Sequence, residues 1–281
     1  SCVPLMISYP RNCFVEWSAA IKKMVNVPVI GVGRITHPDE AEEILQSGQA
    51  DIIGMARALM ADPEWPNKAE AGLAETITPC LGCNTCFDYS GGYGHMTCAV
   101  NARLCAEGET DYGPAEKARK VMVAGSGPAG MEAARIAAER GHEVTLYERS
   151  DRLGGLLFAA AAGHGKDDVD DFRKYLEVGM ERAGVKVELD TEVNAELVTK
   201  VNPDAVVLAV GAIPRGLNIK GVEGDNVVPA EKAITGEVPV GEKVLVIGGG
   251  MVGLETAELL AKHGKAVQLV ARRELARDFS M

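Results

Sequence analysis

The sequence lacks a membrane-length apolar run, a basic cluster and a secretion signal. No apolar stretch approaches the ~18 residues that a membrane-spanning helix needs. Lysine and arginine number 29 against 40 aspartates and glutamates, with no Lys/Arg-rich run, so neither nucleic acid nor an anionic membrane is an expected partner. The first ten residues hold no charged segment followed by a long apolar one. We therefore expect a cytoplasmic protein.

The seven cysteines are spaced for a metal site and not for a disulfide framework. Four of them fall within nineteen residues: Cys80, Cys83, Cys86 and Cys98. The cysteines of the C-x2-C-x2-C run are too close in sequence for two separate zinc knuckles, but they can place thiolates at three corners of a cubane. The residues predict a 4Fe-4S cluster, with structural zinc as the alternative and disulfides least favoured. Three cysteines are left as unreactive thiols: Cys2, Cys13 and Cys105.

The first 78 residues alternate helical and strand patterns. Two apolar segments, 27–32 and 51–55, predict buried parallel strands, and a helix is expected over 39–46 between them. A first helix over 13–25 carries four large apolar residues on one side: Phe14, Trp17, Ile21 and Met24. The resulting αβαβα order with short connections predicts the C-terminal part of a (β/α)8 barrel.

The loops after these two strands are suited to a phosphate. Gly33 and Gly54 allow backbone N–H groups to approach an anion, and Arg34 and Arg57 can supply countercharge. Ordinary glycine turns with solvated arginines are the alternative. His37 and His95 lie in loop or helix-start positions, where we expect exposed side chains without a catalytic role.

A complete dinucleotide-binding pattern begins at residue 120. The strand 120–124 leads into G-x-G-x-x-G at Gly125, Gly127 and Gly130, then into a helix and a second strand. Glu148 falls 18 positions after the third glycine, where a carboxylate binds the ribose of an adenosine. The pyrophosphate is expected at the helix N-terminus.

The same pattern recurs 123 positions later without gaps, at Gly248, Gly250 and Gly253. Ala271 replaces Glu148 at the ribose position and is followed by Arg272 and Arg273, which could bind a 2′-phosphate. The first site therefore suits FAD, and the second favours NADPH over NADH. Solvated arginines are the alternative. The second unit reaches only its first βαβ.

Three further segments between the two patterns are predicted as scaffold: a helix over 168–183, a strand over 185–189 and a buried strand over 205–210.

Three segments taken in order carry a resemblance to a known family: V-P-V-I-G-V-G-R-I, A-D-I-I-G-M-A-R and C-L-G-C-N-T-C. Together they are similar to the iron–sulfur branch of the old yellow enzyme family. The resemblance implies that the two strands are the last two of an FMN-carrying barrel. It places the FMN phosphate at Gly33, Arg34, Gly54, Met55, Ala56 and Arg57. It also assigns the four clustered cysteines to the 4Fe-4S cluster.

The resemblance extends to the FAD site. The sequence R-L-G-G at 152–155 resembles the FAD-side loop of FAD/NAD(P)H reductases, and 208–212 resembles the strand end beside the flavin. The FAD contacts expected beyond the glycine motif are Ala129, Glu148, Arg149, Gly155, Ala209 and Gly211.

The family's chemistry implies electron flow from NAD(P)H to FAD, through the cluster to FMN, and reduction of an activated C=C bond of an enoate, enone or dienoyl-CoA. Amine oxidation resembling that of trimethylamine dehydrogenase is one alternative, and an electron-entry module resembling the glutamate synthase small subunit is another. The family's substrate-facing residues lie on earlier barrel strands, so we expect a fragment that lacks the catalytic pocket, and name no catalytic residue. A small-molecule substrate and a homo-oligomer are the expected partners.

The expected architecture is α/β throughout. It consists of a barrel end over 1–78, a 4Fe-4S loop over 79–106, a linker over 107–119, an incomplete Rossmann-like FAD domain over 120–215, and the first part of an NAD(P)H domain over 216–281.

Overall fold

A computed structural model describes residues 7, 9–88, 96–109, 112–214, 216–272 and 275. Its described strands form three parallel sheets, one in each segment where the sequence predicts strands. Among the described residues, no helix is long and apolar enough to cross a membrane.

The first segment has the predicted αβαβα order. Its elements are α1 (Val15–Lys22), β1 (Ile30–Gly31), α2 (Pro38–Gln46), β2 (Ile52–Ile53), α3 (Arg57–Ala61), α4 (Trp65–Glu70) and a 3-10 turn (Ala74–Thr76). Strands β1 and β2 are parallel neighbours, with Ile30 opposite Ile52. Helix α2 begins after His37, whose backbone N–H donates to the Glu40 carboxylate at 3.4 Å in a capping box.

One burial prediction for this segment is wrong. Ile30 is 56% exposed on a strand only two residues long. Trp17 and Met24, on the predicted apolar side of α1, are also exposed, at 58% and 83%. A parallel strand is buried only when neighbouring strands and helices cover it. In the described structure β1 has one neighbouring strand, β2, which leaves these apolar side chains open to solvent.

The second segment is a four-stranded parallel sheet with helices. After α5 (Thr85–Asp88), its elements are β3 (Lys120–Ala124), α6 (Pro128–Glu139), β4 (Glu143–Tyr147), α7 (Leu157–Ala161), α8 (Asp167–Arg182), β5 (Lys186–Glu188), α9 (Ala195–Val201) and β6 (Ala205–Leu208). The strand order is β5-β4-β3-β6. Val123, Met131, Leu146 and Leu176 are almost completely buried in its core.

Strand β6 forms where the sequence predicts a strand, but it is not buried. Leu208 is 74% exposed, and Val210 beyond it is 73% exposed. Strand β6 lies at the edge of the sheet, where β3 is its only described neighbour.

The third segment contains α10 (Ala230–Ile234), β7 (Lys243–Ile247), α11 (Met251–Lys262) and β8 (Ala266–Val270). Strands β7 and β8 pair in parallel, with Lys243 opposite Ala266. The bounds of β7, α11 and β8 lie 123 positions after those of β3, α6 and β4. The repeat predicted from the glycines is therefore confirmed element by element.

The chain between the cysteine loop and β3 is tied to the end of α6. The backbone N–H of Ala115 donates to the carbonyl of Arg140 at 2.8 Å, and Arg140 Nε donates to the carbonyl of Gly113 at 3.1 Å. This part of the predicted linker is thus held against the helix that follows the first glycine motif.

Candidate functional site

The loops after β1 and β2 leave the same edge of their sheet, because the two strands are parallel neighbours. Gly33 and Arg34 are consecutive residues with positive φ, +129° and +58°. A Cβ at Gly33 would lie 2.9 Å from the backbone nitrogen of Phe14, so glycine is required. We call these two backbone N–H groups the Gly33–Arg34 nest, by analogy with turns whose successive N–H groups bind anions. No described residue accepts a hydrogen bond from these two N–H groups.

The side chain of Arg34 is engaged elsewhere. It is 4% exposed, forms a salt bridge with Asp168 and donates to the carbonyls of Ile7 and Tyr9. The backbone nest, more than the guanidinium, is therefore what the loop presents to an anion. Gly54 donates its N–H to the carbonyl of Gly31 at 2.8 Å and helps to hold the two loops together.

Arg57 links the second loop to the cysteine loop. Its Nη1 donates to Oδ1 of Asn84 at 2.5 Å. Met55 is half-buried and Ala56 is exposed beside it. The predicted FMN-phosphate residues thus gather on two adjacent loops next to the cysteines.

The four clustered cysteines are free thiols. Burial raises the pKa of Cys80 and of Cys86, while the charge of Arg57 works against this rise. Cys83 and Cys98 raise both pKa values further, so the four thiols lie within electrostatic range of one another. Metal binding to this loop would release protons, because thiolates are the ligands.

The sulfurs of the described cysteines are not gathered around one point. A tetrahedral zinc site with Zn–S bonds near 2.3 Å brings its sulfurs to within about 3.8 Å of one another. Among the described residues, no three cysteine sulfurs lie within 4.8 Å of each other. The thiolates of a cubane bind four separate irons and stand further apart. No disulfide joins the described cysteines, and Cys2 and residues 89–95, including His95, lie outside the described part.

The cysteine loop also packs on the second segment. Leu81, next to Cys80, and Val100, just after Cys98, contact the core beneath the four-stranded sheet. On the barrel side, Asn101 Nδ2 donates to the carbonyl of Met60 at 2.8 Å. The loop is therefore in contact with both segments.

The first glycine motif forms the turn that a pyrophosphate needs. Gly125 donates its N–H to the carbonyl of Tyr147 at 2.8 Å, and a Cβ at Gly130 would lie 1.9 Å from the carbonyl oxygen of Gly125. A Cβ at Gly127, the residue before α6, would meet nothing within 4 Å. The first and third glycines are thus required by packing, and the second leaves open space at the helix N-terminus.

Glu148 lies at the carboxyl end of β4 and is 8% exposed. Its carboxylate accepts hydrogen bonds from the N–H and hydroxyl of Ser126, at 2.8 and 2.7 Å, and from both groups of Ser150, at 2.9 Å. Burial alone would raise the pKa of Glu148, but these hydrogen bonds outweigh it and hold the pKa below its ordinary value. The two serines were missed in the sequence, although Ser126 is the first variable residue of the glycine motif.

Two of the remaining predicted FAD residues lie close to this motif. A Cβ at Gly155, which has φ +52°, would lie 3.1 Å from the Cα of Gly127. Ala209 donates its N–H to the carbonyl of Ala124 at 2.8 Å and lies beside the first glycine. The last three are exposed: Ala129, Arg149 and Gly211.

The second glycine motif repeats this geometry. Gly248 donates its N–H to the carbonyl of Val270 at 2.9 Å, and a Cβ at Gly253 would lie 1.9 Å from the carbonyl oxygen of Gly248. Gly250 is the residue before α11. Arg272 is exposed at the end of β8, whereas Arg273 lies outside the described residues.

A third group of polar side chains lies between the first and second segments. His37 is only half-exposed, contrary to expectation, with Nε2 3.3 Å from the Asp171 carboxylate. Donor atoms of His37, Asp168 and Asp171 lie within 4.8 Å of one another. Asp168 is already paired with the guanidinium groups of Arg11 and Arg34, which would repel a cation. This group is an ion-pair network and not a metal site.

Two family models match the chain. The pyridine nucleotide-disulphide oxidoreductase model matches residues 119–280, more than half of the chain, and the NADH:flavin oxidoreductase / NADH oxidase model matches residues 10–76. The first therefore covers both glycine motifs, and the second covers the barrel segment.

Known proteins match this chain across the barrel segment and both glycine motifs. Cinnamate reductase of Clostridium sporogenes is 38% identical over 92% of this chain and 39% of its own length. The structure of a 2-naphthoyl-CoA reductase complex with 2-naphthoyl-CoA covers 99% of this chain and 43% of its own, with 33% identity and a TM-score of 0.93. The structure of histamine dehydrogenase from Rhizobium sp. 4-9 aligns with 95% of this chain over 42% of its own length, with 29% identity and a TM-score of 0.81.

The chain spans about two fifths of the length of these relatives. In this chain, the barrel end is followed by the cysteine loop and then by the two glycine motifs. The chain belongs to the iron–sulfur flavoenzyme branch of the old yellow enzyme family, whose members here combine the NADH:flavin oxidoreductase and pyridine nucleotide-disulphide oxidoreductase models.

Proposed function

We propose that the protein is an NAD(P)H-dependent reductase of an activated C=C bond in an enoate, enone or enoyl thioester. The observation that carries this proposal is the intact second glycine motif, whose turn repeats the N–H bond of the first glycine and the close approach of the third. A complete second motif provides a place for NAD(P)H to bind, which a reductase requires. The likeness to a cinnamate reductase and to a naphthoyl-CoA reductase supports the substrate class.

Each cofactor has a proposed set of residues in this chain. FAD would lie on the first glycine motif with Glu148 at its ribose, and NAD(P)H on the second motif with Arg272 and Arg273. The Gly33–Arg34 nest, Gly54 and residues 55–57 would hold the FMN phosphate, and the four clustered cysteines a 4Fe-4S cluster. When bound, NAD(P)H would donate hydride, the flavins would accept and pass on electrons, and the cluster would carry single electrons.

The chain's own residues bind and orient these groups. The free N–H groups and dipole at the start of α6 attract the pyrophosphate, and Gly127 leaves room for it. The charged Glu148 can accept hydrogen bonds from ribose hydroxyls and would repel a 2′-phosphate. At the matching place Ala271 cannot repel one, so we propose a preference for NADPH over NADH.

The domain limits follow from these assignments. We propose a barrel end over 1–78, a cluster loop over 79–106, a linker over 107–119, an FAD segment over 120–215 and an NAD(P)H segment over 216–281. The core clusters support the division, because buried residues of the barrel segment and of the four-stranded sheet form separate clusters.

The proposal is tested on anaerobically purified holoenzyme. Iron, acid-labile sulfide, FMN and FAD are assayed, and oxidation of NADPH and of NADH is followed with cinnamate as acceptor. We expect all four constituents and faster NADPH oxidation in the presence of the unsaturated acid. Zinc in place of iron would overturn the cluster assignment, and a clear preference for NADH would overturn that for NADPH.

Amine oxidation is the second candidate, favoured by the likeness to histamine dehydrogenase. The same holoenzyme is mixed with histamine and an artificial electron acceptor in the absence of NAD(P)H. Amine-dependent reduction of the acceptor, together with no NAD(P)H-dependent loss of cinnamate, would replace the reductase proposal.

A further inference from the structure

The first turns of α8 meet the barrel segment through buried ion pairs. Asp168 is 3% exposed and accepts a hydrogen bond from Nε of Arg11 at 2.8 Å. Its other oxygen forms the salt bridge with Arg34, whose side chain is also almost fully buried. A buried carboxylate shared by two guanidinium groups has little freedom, because moving either partner leaves an unpaired buried charge.

Arg34 is at the same time part of the anion nest. Its backbone has φ +58°, which is uncommon for a residue with a side chain and persists only where the surroundings enforce it. The ion pair with Asp168 and the hydrogen bonds to the Ile7 and Tyr9 carbonyls fix the far end of this side chain. Asp168 therefore helps to hold the conformation in which the loop exposes its N–H groups.

The cysteine loop touches the same side chain. A Cβ at Gly82 would lie 3.3 Å from Nε of Arg34, and Gly82 has φ +62°. The carbonyl of Gly82 accepts the N–H of Ile7 at 3.0 Å. Arg34 thus lies where the phosphate loop, the cysteine loop and α8 come together.

The same helix also holds the FAD-side loop. The guanidinium of Arg173 lies 4.8 Å from the ring centroid of Phe158, and that of Arg152 lies 4.4 Å from the same ring. A Cβ at Gly154 would lie 2.8 Å from Cδ of Arg173. The loop that places Gly155 beside Gly127 is therefore packed against α8, one and a half turns beyond Asp168.

We propose that Asp168 is a positioning residue that couples the FMN-phosphate loop to the FAD segment. It acts through Arg34: the carboxylate fixes the guanidinium, and the fixed side chain keeps the Gly33–Arg34 nest in its anion-binding form. FMN affinity then depends on a residue that belongs to the FAD segment. This inference rests on the proposed function, because it takes the nest as the FMN-phosphate site.

The test compares FMN and FAD retention in holoenzyme carrying Asp168→Asn, which keeps the shape and removes the charge. Flavins are released and quantified per polypeptide, and the FMN dissociation constant is measured by titrating FMN-depleted protein. We expect FMN to bind at least tenfold more weakly while FAD content stays at the wild-type level. Asp168→Glu should restore part of the FMN affinity, because it restores the charge.

Asp171→Asn is the matched control. Asp171 lies on the same helix, 2.5 Å from Arg11, and has no described contact with Arg34. Its FMN affinity should stay within threefold of the wild type. If Asp168→Asn does not accumulate as folded protein, Arg34→Lys replaces it, since one ammonium cannot reach Asp168 and both carbonyls together, and the same selective loss of FMN is expected.

Two results would overturn the inference alone: unchanged FMN affinity in Asp168→Asn, or equal losses of FMN and FAD. Wild-type holoenzyme that contains FAD and cluster but no FMN would instead overturn the FMN part of the proposed function, and this inference with it.

Discussion

The chain contains the same βαβ unit twice, and the two copies differ in burial and not in backbone. Each has a strand of five residues, a helix of twelve and a second strand of five, at matching positions. The first copy lies in a four-stranded sheet, where Leu146 is fully buried. The second has two described strands, and Leu245 and Val270 are 54% and 52% exposed. The glycine turn therefore forms without a large core around it.

The largest expected difference between the two copies comes from substituting the third glycine of each motif. Gly130→Ala places a methyl group 1.9 Å from the Gly125 carbonyl oxygen and 3.2 Å from the Cβ of Ala209, whereas the three atoms nearest to the methyl group of Gly253→Ala all belong to Gly248. We expect Gly130→Ala to abolish FAD binding and lower the free energy of unfolding by about 3 kcal/mol. Gly253→Ala should abolish NAD(P)H binding with a smaller loss of stability. Denaturant unfolding measures the loss of stability in both variants, FAD content measures the loss of FAD binding, and titration with NADPH measures the loss of NAD(P)H binding.

Gly127→Ala is the control for that pair, since its methyl group would meet nothing within 4 Å. It should leave stability nearly unchanged and still weaken FAD binding, because the added group enters the space left for the pyrophosphate. Equal destabilisation by Gly127→Ala and Gly130→Ala would contradict the packing argument.

The next largest difference is expected when matching core side chains are shortened, because the two copies should lose different amounts of unfolding free energy. Met131 is fully buried, whereas Leu254 at the matching position of α11 is half-buried. Met131→Ala should cost about 3 kcal/mol of unfolding free energy, and Leu254→Ala about 1 kcal/mol. Chemical denaturation of the holoenzyme measures both, and equal costs would show that the second unit is as well packed as the first.

Ala271→Glu should make the second copy resemble the first at the ribose position. The new carboxylate would repel a 2′-phosphate and accept ribose hydroxyls, so the ratio of kcat/KM for NADPH to that for NADH should fall about tenfold. Steady-state rates with both nucleotides measure the ratio, and Arg272→Gln should lower it in the same direction. An unchanged ratio in both variants would locate nucleotide selection elsewhere.

Glu148→Gln should give a small loss of stability that depends on pH. Because the hydrogen bonds from Ser126 and Ser150 hold the pKa of Glu148 below its ordinary 4.5, the carboxylate stabilises the fold above pH 4.5. That stabilisation is lost as the pH falls below 4.5 and through the lowered pKa. The variant should be about 1 kcal/mol less stable at pH 7 and approach the wild type in acid. A difference that is the same at pH 7 and in acid would argue against the charged form.

The contrast also shows which features the sequence can reveal. Both glycine turns, their helices and the 123-residue repeat were predictable, because contacts within about twenty residues, such as Gly125 with Tyr147, determine them. The exposure of Ile30 and Leu208 was not predictable from their apolar runs, since burial depends on which neighbours cover a strand. Asp168 was assigned to scaffold because its partner Arg34 is 134 residues away and nothing local marks the pair.

That separation has a consequence for how the protein is made. Arg34 leaves the ribosome well before Asp168, and at 5–20 residues per second the delay across 134 residues is roughly ten seconds. During this time the guanidinium has no carboxylate from α8, and the phosphate loop lacks the partner that fixes it. The order of synthesis therefore keeps the Gly33–Arg34 loop from reaching its final form until α8 of the next segment has been made.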